Sequence, residues 1–231
     1  WVLVFTMHHV VLDGWSGAAL LSELLQAYRC VSGGTSFDLA WAPSYRDYLR
    51  WRREQPSTGT EFWTSYLDGV QSALSSPGPS GGSSVRRTET LELDARTTKA
   101  VGALSRRYRA TAATVVHAAW SLALARETGE HDLVYGNPFS GRPAELQDVE
   151  SMVGMFVNVL PVRVRLDEAG TGASWLPRLE EELRSLRDHQ HDSLAEVQGL
   201  TGIDAGEELF QKLLVLENYP LSEALASSPG P

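Results

Sequence analysis

Residues 1–11 read WVLVFTMHHVV, apolar throughout except for Thr6, His8 and His9, and lead directly into Leu12-Asp13-Gly14. So continuous an apolar run predicts a strand covered on both faces, because a strand with one wet face alternates. Asp13-Gly14 is a turn signal. Beyond it, Ser16 is placed to cap a helix that carries Leu20, Leu21, Leu24, Leu25 and Tyr28 along one stripe and stops at Gly33-Gly34. Buried strand, tight turn and helix in succession belong to an α/β fold, layered around mixed sheets. A chain that opens inside such a strand reads as a piece of a longer polypeptide.

From Pro43 to Val70 the residues Tyr45, Tyr48, Trp51, Phe62, Trp63 and Tyr66 recur at three- and four-residue spacing, which predicts two helices broken near Pro56 to Gly59. Gln71 to Ser84, QSALSSPGPSGGSS, loses all apolar periodicity and reads as a linker between two lobes. Further on, the pattern predicts a strand over 85–93, helices over 95–108 and 111–127, a short strand over 131–135 entering an NPFSGRP loop, and an alternating strand over 155–166. A helix over 174–188 with Trp175, Leu179, Leu183 and Leu186 inward and a last strand over 208–217 follow. The expected organisation is a first lobe over 1–70, a linker over 71–84, a second lobe over 85–225 and a low-complexity tail over 226–231.

Lys and Arg number 20 against 29 Asp and Glu, a net charge of −9 that argues against a nucleic-acid partner. A hydrophobic share of 42% supplies a sizeable core and excludes disorder throughout. Cys30 is the single cysteine, so neither an internal disulfide nor a cysteine zinc site is available, and a cytoplasmic location is expected. No apolar run approaches the roughly 20 residues that cross a bilayer.

The chemistry concentrates at His8-His9-x-x-x-Asp13-Gly14. Successive side chains of an extended chain point to opposite faces, so one of the two imidazoles meets a given cavity and the other turns into the fold. Asp13 is placed to organise the turn, and Gly14 lets backbone approach a substrate closely. His8, His9 and Asp13 are also a conceivable set of metal ligands. Adjacent strand residues diverge, however, and no third histidine stands at helical spacing, so no metal is expected. His117, among Val115, Val116, Ala119 and Trp120, reads as a packed core residue, and His131 as a loop residue. Glu180-Glu181-Glu182 reads as the solvated side of an amphipathic helix. Cys30 has no flanking basic cluster beyond Arg29 and is not a nucleophile candidate.

His8-His9-Val10-Val11-Leu12-Asp13-Gly14 resembles the HHxxxDG signature of the condensation domains of nonribosomal peptide synthetases. Five further segments are similar to that family's motifs, in the family's order. They are Pro43-Ser44-Tyr45-Arg46-Asp47-Tyr48, Ser140-Gly141-Arg142-Pro143, Val153-Gly154-Met155-Phe156-Val157-Asn158, His189-Gln190-His191 and Glu217-Asn218-Tyr219-Pro220. Asn137-Pro138-Phe139 and Val159 depart from the usual pattern at positions that bear on substrate fit. The resemblance implies a two-lobed fold like chloramphenicol acetyltransferase, its first lobe incomplete here, with the motif loop in the tunnel between the lobes. In the family an arginine of an earlier segment, absent from these residues, pairs with the motif aspartate, so the resemblance does not supply the ion-pair partner of Asp13 here.

The implied reaction joins a donor acyl or peptidyl thioester on one peptidyl carrier domain to the α-amine of an aminoacyl group on another. An α-amine, with an ordinary pKa near 8, is already partly neutral at pH 7. By resemblance His9 orients that amine or takes its proton, His8 supports it, Asp13 organises the loop, and the Gly14 N–H donates to substrate or oxyanion. Trp15, Ser16, Ser140, Gly141, Arg142 and Asn158 are carried over as tunnel residues. The expected partners are upstream and downstream carrier domains and an adjacent adenylation domain. No cofactor is expected on the domain itself, the phosphopantetheine arms belonging to the carriers. An epimerisation domain would bring a further carboxylate motif where this chain has SGRPAEL, and a cyclisation domain would replace the histidines by aspartates. A coenzyme A-dependent acyltransferase of the same fold and a non-catalytic carrier-docking remnant are the alternatives kept.

Overall fold

The computed structural model describes residues 2–39, 41–55, 59–70, 87–166, 170–203 and 207–217. It contains helices α1 (Gly14–Ser32), α2 (Tyr45–Glu54), α3 (Thr60–Tyr66), α4 (Ala95–Tyr108) and α5 (Ala112–Thr128). Strand β1 (Asp132–Phe139), strand β2 (Asn158–Arg165) and helices α6 (Gly172–Asp188) and α7 (Leu194–Gly199) follow. Two compact units share the chain, one of residues 1–58, 139–158 and 216–231, the other of 59–138 and 159–215. Residues 139–158 group with the motif segment in the first unit. The expected 71–84 linker, the 226–231 tail and Asn218-Tyr219-Pro220 lie outside the described residues.

In the first unit the expected buried strand does not form. Residues 2–8 have no regular structure, and Val2, Leu3, Val4 and Phe5 are exposed. A strand exists only beside a partner about 5 Å away, and no described residue pairs with this segment. The two histidines therefore sit at a turn, closed by Val11 N donating to His8 O at 3.1 Å. Helix α1 begins earlier than expected, because Asp13 rather than Ser16 is its cap and accepts from Ser16 N. Its stop at Gly33 is as expected. Of the stripe, Leu20, Leu21 and Leu25 are half-buried, whereas Leu24 and Tyr28 are exposed. Helix α2, capped by Ser44, packs Tyr48 with Val149, Met152 and Phe156, flanked by Tyr45, Trp51 and Leu146.

In the second unit α4, α5 and α6 contact one another. Helix α5 is held at its start by the Thr111 cap and at its end by Gly129 at φ 76°, a left-handed position that glycine adopts without strain. Glu180, expected in solvent, instead accepts from Thr111 N at 2.7 Å and from the Thr114 hydroxyl, tying α6 to the start of α5. Leu176, Leu179, Leu183 and Leu186 are the buried face of α6, with Leu176 in the place expected for the half-buried Trp175. His117 is buried as expected, its Nδ1 2.8 Å from the Tyr135 hydroxyl.

Strands β1 and β2 form the two-stranded sheet; Phe139 and Asn158 at their ends are grouped with the first unit. Leu166 N donates to His131 O, so the start of β1 lies beside the end of β2 and the pair is antiparallel. Strand β1 runs on through Asn137-Pro138-Phe139, where a loop was expected, and Asn137 and Phe139 are buried. Strand β2 begins at Asn158 rather than Met155 and is buried at five successive positions instead of alternating. The expected strands over 85–93 and 208–217 are absent among the described residues. Residues 87–93 are exposed without a partner strand, and the later segment makes a single parallel bridge, Gly136 to Leu213. The histidine of the HQ segment, His189, stacks on Phe62 at 3.9 Å, and its Nδ1 is 3.2 Å from Asp192, which also accepts from the Trp63 indole at 2.8 Å.

Candidate active site

Asp13 is 1% exposed, and every bond it makes fixes the loop that carries the histidines. Its Oδ1 accepts from Ser16 N at 2.8 Å and its Oδ2 from Phe156 N at 3.1 Å. Its own N donates to Gly154 O at 3.1 Å, and its O accepts from Gly17 N at 2.9 Å. Arg142 supplies the compensating charge, Nη2 to Oδ1 at 3.4 Å. Within these residues the ion-pair partner of Asp13 thus comes from the SGRP segment, downstream in the chain.

Arg142 is itself surrounded. Its Nη2 donates to the Ser16 hydroxyl at 2.9 Å, and its Nη1 donates to Met152 O at 3.1 Å and to Val149 O. The guanidinium lies over the Phe156 ring, 4.0 Å from the centroid, a favourable placement for a cation. Burial draws its pKa down and the Asp13 charge and hydrogen bond oppose that; a guanidinium stays charged regardless. Ser16, fully buried, also donates to Gly154 O at 2.9 Å and accepts from Gly154 N at 3.1 Å.

The tyrosines of the PSYRDY segment complete the packing. The Tyr45 hydroxyl donates to Met155 O, and its ring meets Phe156 edge-on at 5.0 Å. Burial, then the Asp13 charge, raises the Tyr45 pKa, with Arg142 opposing. A Cβ on Gly154 would collide with the Tyr45 ring, and one on Gly141 with the Phe156 carbonyl; Gly141 also stands at φ 61°. Both glycines are thus required by close approach, and Gly141 by its conformation as well.

Of the residues carried over as tunnel candidates, the structure brings Trp15, Ser16, Gly141 and Arg142 into this scaffold. Trp15 donates its indole N–H to Glu150 O at 3.0 Å. Ser16 and Arg142 have their polar groups occupied within the protein, which makes them positioning residues. Ser140 is exposed, and Asn158 is half-buried at the start of β2. Sequence reasoning did not single out Gly154 and Phe156 as holders of Asp13, although the VGMFVN segment that contains them was the available signal.

His8, expected to turn into the fold, is exposed, and its Nδ1 accepts from Val10 N at 3.1 Å. In the neutral ring its proton is therefore on Nε2. His9 is exposed and, among the described residues, has no hydrogen-bond partner. The Gly14 N–H, at the first position of α1, is likewise unpaired among the described residues. Along the sequence, an imidazole four positions before the locked Asp13 and a backbone N–H directly after it are thus without hydrogen-bond partners among the described residues. Among the described residues no group of three or more His, Cys, Asp or Glu side chains is arranged to hold a metal.

A site of this form, on a mixed helix and sheet scaffold and with the six motifs in order along the sequence, is that of a condensation domain. The Condensation domain family model matches residues 1–229, and the chain belongs to that family. It is 35% identical over 231 residues to a linear gramicidin synthase of Brevibacillus parabrevis, covering 96% of this chain and 3% of the synthase. Its fold matches the first condensation domain of the CDA synthetase with a TM-score of 0.73 at 23% identity, covering 90% of this chain and 47% of that one. It also matches the starter condensation domain of rhizomide synthetase, a mutant solved with C8-CoA and Leu-SNAC, with a TM-score of 0.69 at 19% identity over 90% and 48%. The fold is that of the chloramphenicol-acetyltransferase-like condensation domains, as expected. The chain spans about half the length of the solved domains and a small fraction of the synthase.

Proposed function

We propose that this chain is the motif-bearing part of a domain that forms a peptide bond between two carrier-bound substrates. Amide formation is the reaction of the family to which it belongs. The observation that carries the reading is the difference between the two imidazoles: the turn engages His8 through Val10 N, while His9 is exposed and, among the described residues, makes no hydrogen bond, four positions before the buried Asp13. His9 orients the attacking amine and accepts its proton, a contribution of roughly 10² to 10⁴ in rate. Holding the two substrates together supplies a further large share. The Gly14 N–H stabilises charge developing on the thioester carbonyl oxygen. As the amine nitrogen bonds to that carbon, the carbon–sulfur bond breaks, and the donor's thiolate leaves and takes up the proton that His9 accepted from the amine.

The substrates are a donor acyl or peptidyl thioester and an acceptor aminoacyl thioester, each on the phosphopantetheine arm of a peptidyl carrier domain, with an adenylation domain adjacent. The domain itself uses no cofactor and works in the cytoplasm. A second reading, transfer from soluble acyl-coenzyme A, is favoured by the coenzyme A complex of the rhizomide starter domain. Mass spectrometry of the parent module, offered either a carrier-bound donor or the matching acyl-coenzyme A, separates the two. An amide product from the carrier-bound donor alone supports the proposal, and one from acyl-coenzyme A alone replaces it.

A further inference from the structure

The second unit contains a cleft of about 400 Å³ between α3, the end of β2 and α6, distant in sequence from the histidine motif. Three arginines bound it, Arg163, Arg165 and Arg178, with one carboxylate among its walls, Glu182. The arginines are not equivalent. Arg163 is 5% exposed at the side chain and committed to the fold, its Nε donating to Asp132 at 2.8 Å and its Nη1 to Tyr66 O at 3.0 Å and Asp68 O at 2.8 Å. Asp132 neutralises it through a second bond, from Nη2 at 2.5 Å.

Arg165 and Arg178 are half-exposed at the mouth, and among the described residues most of their donors are unused. Arg165 reaches only Asp132, at 3.8 Å, beyond hydrogen-bond distance. Arg178 donates once, from Nη2 to Arg165 O at 3.3 Å, and its Nε stands 3.8 Å from Glu182. Glu182 faces both cations, yet burial still raises its pKa above the ordinary carboxylate value. Among the described residues that line the cleft, with Arg163 cancelled by Asp132, two guanidiniums face one carboxylate, a local surplus of one positive charge in a chain whose net charge is −9. Ser65, Tyr66 and Leu166 complete the lining, a hydroxyl-bearing residue beside an aromatic and an aliphatic one.

We propose that this cleft binds the oxyanion of a small organic ligand carrying a single negative charge, held by Arg165 and Arg178 with its apolar part against Leu166 and Tyr66. Guanidinium forks suit such oxygens in planar and tetrahedral form alike. A carboxylate and a phosphodiester share this chemistry, and the volume exceeds that of a bare ion.

The test is an amide NMR titration of the whole chain with N-acetylglycine as the carboxylate probe and dimethyl phosphate as the phosphodiester probe, at fixed ionic strength against chloride. The expected result is a saturable shift confined to residues around Ser65, Leu166 and Arg178, stronger for whichever probe represents the ligand's class. R165Q and R178Q, at half-exposed positions, each weaken binding about tenfold, the loss of one charge-assisted anchor. E182Q removes the opposing charge and tightens it, a change that a general ionic effect does not produce. Absence of a saturable shift up to about 50 mM, near the weak limit of useful binding, overturns the proposal. Shifts equally produced by chloride, or indifferent to all three substitutions, overturn it as well.

Discussion

Asp13 and Arg142, 129 positions apart in the chain, form a buried ion pair at 3.4 Å, with 1% and 7% of their side chains exposed. Removing one member leaves the other charge buried and uncompensated, which costs about 3–5 kcal/mol. Arg142→Leu and Asp13→Leu should each lose about that much in denaturant unfolding. The double variant should lose clearly less than their sum, because it strands no charge. Additive losses would show that the two charges do not depend on each other.

Ser16 offers a smaller and separable test. Its hydroxyl serves Gly154 O, Gly154 N and Arg142 in a site with no access to water. Ser16→Ala leaves those groups short of a partner at little change in volume and should cost about 1–3 kcal/mol. A variant as stable as the wild type would mean that the neighbouring groups find other partners.

Gly141 combines a left-handed backbone with the Phe156 carbonyl where a Cβ would stand. Gly141→Ala is therefore expected to cost more than about 2 kcal/mol through strain and displacement of Phe156. Gly34, equally left-handed at φ 72° but with open space around it, is the control. Gly34→Ala carries only the conformational part, about 1 kcal/mol, so equal losses at the two sites would contradict the close-approach argument.

His117 governs a pH dependence. Burial lowers its pKa to about 4, against 6.5 for the free side chain. Between those values the unfolded chain binds a proton that the folded chain refuses, so stability rises with pH across the window. The neutral ring's contribution is complete above pH 6.5 and is lost as pH falls towards 4, in all about 3 kcal/mol. Unfolding free energies of the wild type and His117→Gln at pH 7 and about pH 4.5 should diverge by most of that amount. Parallel changes in the two proteins would sink this assignment.

The helices were legible because their signals are local. Ala95–Tyr108 matches residue for residue, and Asp94 and Thr111 stand where caps belong. The strands were legible in part: β1 and β2 stand where strands over 131–135 and 155–166 were expected, whereas none forms over 2–8, 87–93 or 208–217 among the described residues, because pairing depends on neighbours that periodicity does not name. Residues 2–8 have strand composition and no strand beside them, while β1 continues through Pro138, a residue that usually ends such a run. At the site, the motif residues and their order were visible, but their wiring was not. Arg142 read as a tunnel residue because nothing in the sequence states that its guanidinium stacks on Phe156 and reaches Asp13. His8 read as the buried imidazole because alternation along a strand was assumed, whereas a turn closes at that point.

The role of His9 is tested most directly in the complete parent module, loaded with donor and acceptor, by comparing the amide-linked product formed by the wild type and His9→Ala. His9 is exposed and makes no hydrogen bond among the described residues, so its removal should leave the unfolding midpoint unchanged. Product formation is expected to slow by about 10² or more in the folded variant, the loss of proton acceptance and orientation together. Undiminished product from His9→Ala would contradict it and leave the reaction to substrate positioning alone.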